Sequence, residues 1–240
     1  MDKLFTYLGR KAGRTYVKGK WIFQSVFGSE EEGVAAENDL GKALAKDLES
    51  QEALIRDSTL EGEVNGIGKE LTACVTAPDR TFRFRITESK EVNAFALPGG
   101  FIYFTSGLLE LPGISNHEVA FVMGHEVGHV IRGHPFDKLL ANTSMGFLKK
   151  IMGATTPAGG LTQKAIGALL RSDYSQEQEL EADWFAVRLM AAAGYDVQAA
   201  IDMLHRFQAL RGESGTALSY FASHPSPDER VRHLSHRLGK

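Results

Sequence analysis

The chain has 240 residues, of which 43% are hydrophobic and 24% are charged, and its formal net charge is −3. This composition is typical of a soluble globular protein with a sizeable core, and the nearly balanced charge excludes the basic face of a nucleic-acid-binding protein. The single cysteine, Cys74, excludes an intramolecular disulfide, and we expect a small buried residue there rather than a reactive thiol.

The first 32 residues form a basic and aromatic arm that ends in the acidic run Glu30 to Glu32. No uninterrupted apolar run follows the early charges, so the arm is not a secretory signal as it stands. No stretch reaches the ~20 apolar residues that span a bilayer. We expect the arm to pack on the domain or to stay mobile, with peripheral membrane contact as the alternative. The prediction is a soluble protein, cytoplasmic as the sequence stands, and periplasmic or membrane-associated if a signal was removed.

Residues 33–240 are predicted to form one domain, which begins with a helix over 34–56 where leucines recur at helical spacing. Asn65, Gly66 and Gly68 predict a turn. Apolar and alternating segments then predict a small, mainly antiparallel sheet, with strands over 71–76, 81–87, 92–97 and 101–105.

Beyond Ser106 the pattern is almost entirely helical. The helix over 115–133 is strongly apolar and begins at a good N-cap, Ser115, with Glu118 at the capping-box position. Further helices are predicted over 136–152, 162–170, 175–193, 197–210 and 227–238, with a loop over 154–160. One small sheet beside many helices indicates an α+β fold.

The most informative motif is HExxH, which runs from His125 through Glu126 to His129. Two histidines four residues apart project from one face of a helix and can share one metal ion. The flanking residues are apolar, so the helix is predicted to be buried, where imidazoles and a carboxylate are costly unless they bind something. A motif this short also arises by chance, so it needs support from elsewhere in the chain.

That support comes from the helix over 175–193, which carries Glu179, Glu181 and Asp183. A catalytic zinc site takes three protein ligands and leaves one position for water. Glu179 is favoured over Glu181 as the third ligand, because only Glu179 has Asp183 one turn further on the same face. Asp183 is then placed to accept the second ring N–H of a ligand histidine.

Four stretches together resemble the HtpX-like and CAAX prenyl endopeptidase family of gluzincins, peptidase family M48. The resemblance implies a zincin-like fold and one zinc ion per chain, with His125, His129 and Glu179 as ligands and Glu126 as the catalytic glutamate. The membrane-spanning helices of some members, and the C-terminal repeat domain of others, have no counterpart in this sequence. The stretches are VNAFALPGGFIYFTSGLL at 92–109, HEVAFVMGHEVGHVIRGH at 117–134, YSQEQELEADWFAVRLMAAAGYD at 174–196 and SHPSPDERVRHL at 223–234.

Two further site assignments accompany this resemblance. His224 is the candidate donor to the tetrahedral oxyanion, because matching family histidines lie near the site, and the alternative is a surface histidine before a proline turn. Asn93, Ala94 and Phe95 resemble the family's edge strand, which binds a substrate backbone by β-augmentation. The alternative for this strand is an ordinary core position. Arg230 either pairs with a site carboxylate or faces solvent.

The predicted function is a zinc endopeptidase in which Glu126 acts as general base on a zinc-activated water. Its substrates are predicted to be unfolded or misfolded polypeptides, as in protein quality control. The alternatives are a non-enzymatic chaperone-like or scaffold module, and a zinc hydrolase of another amide or ester. The segment 136–172 forms either a lid over the cleft or plain core helices. The remaining histidines are predicted to be structural or solvated, namely His117, His134, His205, His233 and His236.

Overall fold

The computed structural model describes residues 30–77, 79–152, 160–211, 220, 223, 224 and 227–239. Most of the predicted arm and most of the predicted loop over 154–160 lie outside these residues. None of the helices in the described ranges is long and apolar enough to cross a membrane. In chain order the elements are α1 Glu30–Gln51, α2 Ser58–Ala73, β1 Arg83–Thr87, β2 Ala94–Leu97, β3 Phe101–Thr105, α3 Ser106–Leu109, α4 Asn116–Ile131, α5 His134–Asn142, α6 Met145–Met152, α7 Gly160–Arg171, α8 Gln176–Ala192, α9 Gln198–Arg211 and α10 Pro227–Arg237.

The three strands form a mixed sheet in the order β1-β3-β2. β2 and β3 form an antiparallel hairpin around a short 3-10 turn at Pro98–Gly100, in which Gly99 has a left-handed φ of 76°. The antiparallel pairing predicted for the sheet holds for this hairpin, whereas β1 runs parallel to β3. The chain leaves β1 and passes to the far side of β3 before it forms β2, so β1 and β3 point in the same direction.

Helices cover both faces of the sheet, so the molecule has three layers. Side chains of β3 alternate between the two sides, as the period of two in a strand requires. Phe101 and Tyr103 pack with buried residues of α1, α5, α6 and α7. Ile102 and Phe104 pack with buried residues of α2, α4, α8 and α9. The mostly helical α+β fold predicted from the sequence is therefore confirmed.

Helix α2 differs from its prediction. The sequence predicts a turn near Asn65 and a strand over 71–76, but the helix is continuous from Ser58 to Ala73. Its first turn is stabilised by Asp57, whose carboxylate accepts hydrogen bonds from the backbone N–H groups of Thr59 and Leu60. The turn and the strand predicted here are both wrong, and so is the burial predicted for Cys74, which is exposed.

Tertiary packing explains why α2 remains a helix through its glycines. Val64, Ile67 and Leu71 recur at helical spacing and are buried in the same core cluster as the sheet. A Cβ at Gly68 would collide with the ring of Phe84 on β1. The glycine therefore allows the helix to approach the sheet closely, and the burial of the apolar face outweighs the weak local turn preference.

The helices of the second half lie close to their predicted bounds. The capping box predicted at Ser115 and Glu118 is present at the start of α4. The helix predicted over 136–152 is instead two helices, α5 and α6, because the backbone is extended at Thr143. Gly133, with a left-handed φ of 73°, separates α4 from α5 and turns the chain back toward the end of α4.

Candidate metal centre

Helix α4 packs more extensively against α8 than against any other described element. Gly124 and Gly128 of α4 face Ala182 and Ala186 of α8, and a Cβ at Gly124 would lie only 3.1 Å from the Cα of Ala186. These small residues allow the two helices to approach closely. The larger polar side chains of both helices, His125, His129, Glu179 and Asp183, meet beside this seam.

Four buried side chains present donor atoms to one point. His125, His129, Glu179 and His224 each offer one ligand atom, and these atoms all lie within 4.8 Å of one another. The two histidine Nε2 atoms are 3.0 Å apart, and Glu179 lies 3.3 Å from His129 Nε2 and 3.7 Å from His125 Nε2. A tetrahedral zinc ion with bonds of about 2.1 Å separates its ligand atoms by about 3.4 Å. The spacing therefore fits zinc.

The hydrogen-bonding pattern of the two helix histidines also fits a cation. His125 directs Nδ1 to Asp183 Oδ1 at 2.8 Å, and His129 directs Nδ1 to His134 at 2.9 Å. Both Nε2 atoms are thereby left to face the group of donors. No side chain in the described ranges donates a hydrogen bond to either carboxylate oxygen of Glu126, which is fully buried. Unpaired buried carboxylates are costly, and a divalent cation beside them offsets that cost.

Glu126 lies at this centre but outside the group of four donors. Its Oε1 atom is 3.6 Å from His224 Nε2. The pKa of Glu126 is raised to about 7, mainly by burial and also by the charge of Glu179, although His125, Lys138 and Arg230 act to lower it. A carboxylate with a pKa near neutrality is suited to both accepting and returning a proton. The charge of a bound cation would lower that pKa.

Arg230 of α10 pairs with two site carboxylates, and the solvent-facing alternative is wrong because its side chain is buried. It binds Asp183 through Nε at 2.8 Å and Nη2 at 2.7 Å, and its Nη1 lies 2.9 Å from Glu179 Oε2. Nη1 also donates to the hydroxyl of Tyr220 at 2.7 Å. Burial alone would raise the pKa of Asp183, but the Arg230 charge and the hydrogen bond from His125 hold it below its ordinary value.

His224 lies inside the donor group rather than beside it. Its Nδ1 atom is 2.9 Å from Glu179 Oε1 and 3.4 Å from His125 Nε2, and its ring stacks on Tyr220 with centroids 4.6 Å apart. In this arrangement His224 is placed to act as a fourth ligand. The surface position considered from the sequence is excluded, because the residue is buried.

Residues 58–238, which contain all of these side chains, match Peptidase family M48. The chain belongs to this family. Metalloprotease LoiP of Escherichia coli (strain K12) is 30% identical over 214 residues, which cover 83% of this chain and 82% of the relative.

Two other M48 relatives are matched over less of their own length. Metalloprotease YcaL of Escherichia coli (strain K12) is 29% identical over 160 residues, which are 65% of this chain and 61% of the relative. Mitochondrial metalloendopeptidase OMA1 of Schizosaccharomyces pombe is 27% identical over 176 residues, which are 73% of this chain and 52% of the relative. The chain thus spans between about half and three fifths of these two proteins.

Three residues at the candidate site were not assigned to it from the sequence, although Tyr174 and His134 lie within the stretches that resemble the family. Tyr174 stacks on the ring of His129, with centroids 3.9 Å apart. Lys138 of α5 is buried, and its Nζ lies 3.6 Å from the centre of the Tyr174 ring. His134, expected to be structural or solvated, is buried against His129. The glycine before it separates α4 from α5 and turns the chain back toward the candidate metal centre.

The segment 136–172, considered as a lid, consists largely of core helices in its described part. Phe136, Leu139, Leu148 and Leu169 are all buried in the cluster that covers one face of the sheet. Lys138 carries the contact of this segment with the site through Tyr174. The alternative that these are ordinary core helices rather than a lid therefore accounts for the described residues of α5, α6 and α7.

The predicted substrate strand is the edge strand β2, which contacts α4. Asn93, Ala94 and Phe95 are buried, and the side-chain Oδ1 of Asn93 has no hydrogen-bond partner among the described residues. The backbone N–H of Thr105 on β3 donates to the carbonyl of Asn93 at 3.0 Å. Because hydrogen-bonding direction alternates along an antiparallel ladder, the backbone groups of Ala94 and Ala96 point away from β3, and both residues are buried.

Proposed function

We propose that this chain is a zinc-dependent endopeptidase that cleaves unfolded or misfolded polypeptides. The observation that carries the proposal is the convergence of His125, His129 and Glu179 donor atoms beside Glu126, whose carboxylate accepts no hydrogen bond from the described residues. Zinc held by two histidines and a glutamate is a ligand set of hydrolytic enzymes. The names of the M48 relatives, metalloproteases and a metalloendopeptidase, support the same activity.

In this proposal each site residue has a defined task. Bound zinc would lower the pKa of a water molecule and polarise the scissile carbonyl. Glu126 accepts a proton from that water as its oxygen attacks the carbonyl carbon, and then returns the proton to the leaving amine as the C–N bond breaks. Asp183 and Arg230 hold His125 and Glu179 in place.

His224 has two possible tasks, which require different positions of its ring. As a ligand it would occupy the place that the water needs, and as an oxyanion donor it would direct an N–H to the carbonyl oxygen during attack. We propose that it donates to the oxyanion when substrate is bound. Replacement of His224 by Phe should then lower kcat more than it raises KM.

The preference for unfolded substrates follows from the binding mode that we propose. We propose that the backbone groups of Ala94 and Ala96 that point away from β3, which are buried in this structure, pair with an extended substrate strand when substrate binds. A folded protein rarely offers an extended segment with free backbone groups, whereas an unfolded chain does. The division into an arm over 1–32 and a catalytic domain over 33–240 remains a proposal, and α1, which begins at Glu30, crosses the predicted boundary.

The test compares the purified chain with its Glu126→Gln variant, with zinc measured by elemental analysis and cleavage measured on casein. We expect about one zinc ion per chain in both proteins, and a fall in cleavage of at least about 100-fold in the variant. A His205→Gln variant, on the exposed face of α9, is the matched control and should cleave as the wild type does.

Three outcomes would contradict the proposal. A carefully handled wild-type protein without zinc would remove the metal centre. Zinc without cleavage in the wild type, on casein and on small amide and ester substrates, would favour a chaperone-like or scaffold module instead. Cleavage of esters or non-peptide amides alone would indicate another class of zinc hydrolase.

A further inference from the structure

The imidazole ring of the metal-ligand candidate His129 is in direct contact with a second imidazole ring, that of His134. His129 Nδ1 is 2.9 Å from His134 Nδ1, and both side chains are buried. At this distance one nitrogen must carry a proton and the other must accept it. His129 turns its other nitrogen, Nε2, toward His125 and Glu179. A neutral histidine that binds metal through Nε2 keeps its proton on Nδ1, so His129 is the donor of this bond.

We propose that His134 is a positioning residue for the metal centre. Its Nδ1 accepts the Nδ1–H of His129, which fixes the tautomer that leaves His129 Nε2 free for the metal and sets the orientation of the ring. The inference rests on the metal site proposed above. In this role His134 orients His129, just as Asp183 orients His125 through a contact of 2.8 Å.

The surroundings of His134 favour the tautomer that this role requires. An acceptor at Nδ1 needs its own proton on Nε2, and that atom lies 3.8 Å from Glu181 Oε2. This distance is longer than a hydrogen bond, so the carboxylate acts through its charge, which attracts the Nε2–H group. Glu181 itself pairs with Arg132, with Nε and Oε1 3.1 Å apart. Glu181 was the less favoured metal-ligand candidate in the sequence. In the structure it faces the ring of His134, which in turn contacts the ligand candidate His129.

The backbone explains how a residue outside the HExxH helix reaches this position. α4 ends at Ile131, and Gly133 adopts a left-handed conformation that starts α5 immediately afterwards. His134, the first residue of α5, is thereby brought back beside the last turn of α4. On the face of the His129 ring, Tyr174 stacks at 3.9 Å. The ring of His129 is therefore held by a hydrogen bond at Nδ1 and by an aromatic face.

Two amide variants distinguish the hydrogen bond from simple packing. His134→Asn places its side-chain oxygen where Nδ1 stood and retains the acceptor, whereas His134→Gln places its amide nearer to the position of Nε2. We expect the Gln variant to bind zinc about 10- to 100-fold more weakly than the wild type, as is usual when such a partner is lost. We expect the Asn variant to stay within about threefold of the wild type.

The readouts are the zinc dissociation constant from chelator competition, kcat/KM on casein, and the unfolding temperature of the zinc-free proteins. If His134 only fills space, the Asn variant should bind zinc more weakly than the Gln variant, because Gln fills the buried space better than the smaller Asn. The control is His205→Gln, a histidine on the exposed part of α9, which should match the wild type in all three measurements.

The outcomes separate this inference from the proposed function. If the wild type binds zinc and cleaves casein, but the Gln variant binds zinc as tightly as the wild type, His134 has no positioning role and the protease proposal stands. An Asn variant as weak as the Gln variant, or weaker, also overturns the role. A wild type that binds no zinc overturns the proposed function, and this inference with it.

Discussion

Arg230 shows how one side chain balances the charges at the M48 site. Glu126, Glu179 and Asp183 are buried carboxylates, and each buried ion costs several kcal/mol unless it is paired. Arg230 forms two hydrogen bonds to Asp183 and an ion pair with Glu179, which is the planar geometry that a guanidinium favours. In the zinc-free protein the guanidinium of Arg230 supplies a permanent positive charge that contacts both Asp183 and Glu179.

Replacing Arg230 by Met should therefore destabilise the zinc-free protein strongly. The aliphatic side chain fills the space but leaves Asp183 and Glu179 without their cation, so we expect a loss of about 3–5 kcal/mol in the free energy of unfolding. Urea unfolding in the presence of a chelator measures it. Arg232→Met changes an exposed arginine of the same helix and should shift the free energy by less than about 0.5 kcal/mol. Equal effects of the two substitutions would show that the buried pairing does not stabilise the protein.

The small residues of helices α4 and α8 determine how precisely the candidate metal centre is positioned. Gly124 and Gly128 alternate along α4 with the site residues, and they contact Ala182 and Ala186. The distance between the helix axes sets how far Glu179 reaches toward the two histidines. Larger residues at this contact between α4 and α8 would move the two helices apart. Every site residue would still be present, but the distances between them would change.

A Gly124→Ala substitution tests this seam. The gain in helix propensity is about 1 kcal/mol, and the overpacking against Ala186 costs about 1–3 kcal/mol, so overall stability should change by less than about 2 kcal/mol. A displacement of a few tenths of an ångström between the helices misplaces Glu179, and we expect kcat/KM on casein to fall by about tenfold or more.

The matched control for that substitution is Gly66→Ala in the interior of α2, where a Cβ meets nothing within 4 Å. It should stabilise the protein by about 0.5–1 kcal/mol with activity unchanged. Equal activity of the Gly124→Ala variant and the wild type would mean that the α4–α8 distance does not limit the geometry of the centre.

The site joins parts of the chain that are distant in sequence. His125 and His129 lie on α4, Glu179 lies on α8, and His224 precedes α10. A bound metal would therefore add a further link between elements that already meet through packing, hydrogen bonds and ion pairs. The whole molecule, rather than one helix, should become more stable when the metal binds, because the unfolded chain does not present these ligands together.

Removal of zinc should lower the midpoint of thermal unfolding. A free zinc concentration about 1,000-fold above its dissociation constant stabilises the folded state by about 4 kcal/mol. For a chain of this size each kcal/mol shifts the midpoint by about 2–4 °C, so we expect a decrease of roughly 8–16 °C on addition of a chelator. The His129→Ala variant should show no zinc-dependent shift. An identical midpoint for the wild type with and without chelator would contradict metal binding at this site.

The features that the sequence determined by itself are those encoded over a few neighbouring residues. The Ser115 and Glu118 capping box marks the start of α4, and the alternation of Phe84 and Ile86 with arginines identifies β1. The HExxH spacing places two histidines on one helix face wherever that helix packs. Local periodicity and capping depend on the residues of one segment, so these predictions needed no knowledge of the rest of the fold.

The tertiary structure alone decided features that depend on contacts between distant segments. α2 remains helical through Gly68 because that glycine lies against Phe84, which is 16 residues away in the chain. The parallel pairing of β1 with β3 follows from the path of the chain around the sheet. The contacts of Arg230 with Asp183, and of Tyr174 and His134 with His129, arise where separate segments of the chain meet. Such contacts leave no periodic signal in any one segment, because the free energy that selects them comes from burial and charge pairing in the folded molecule.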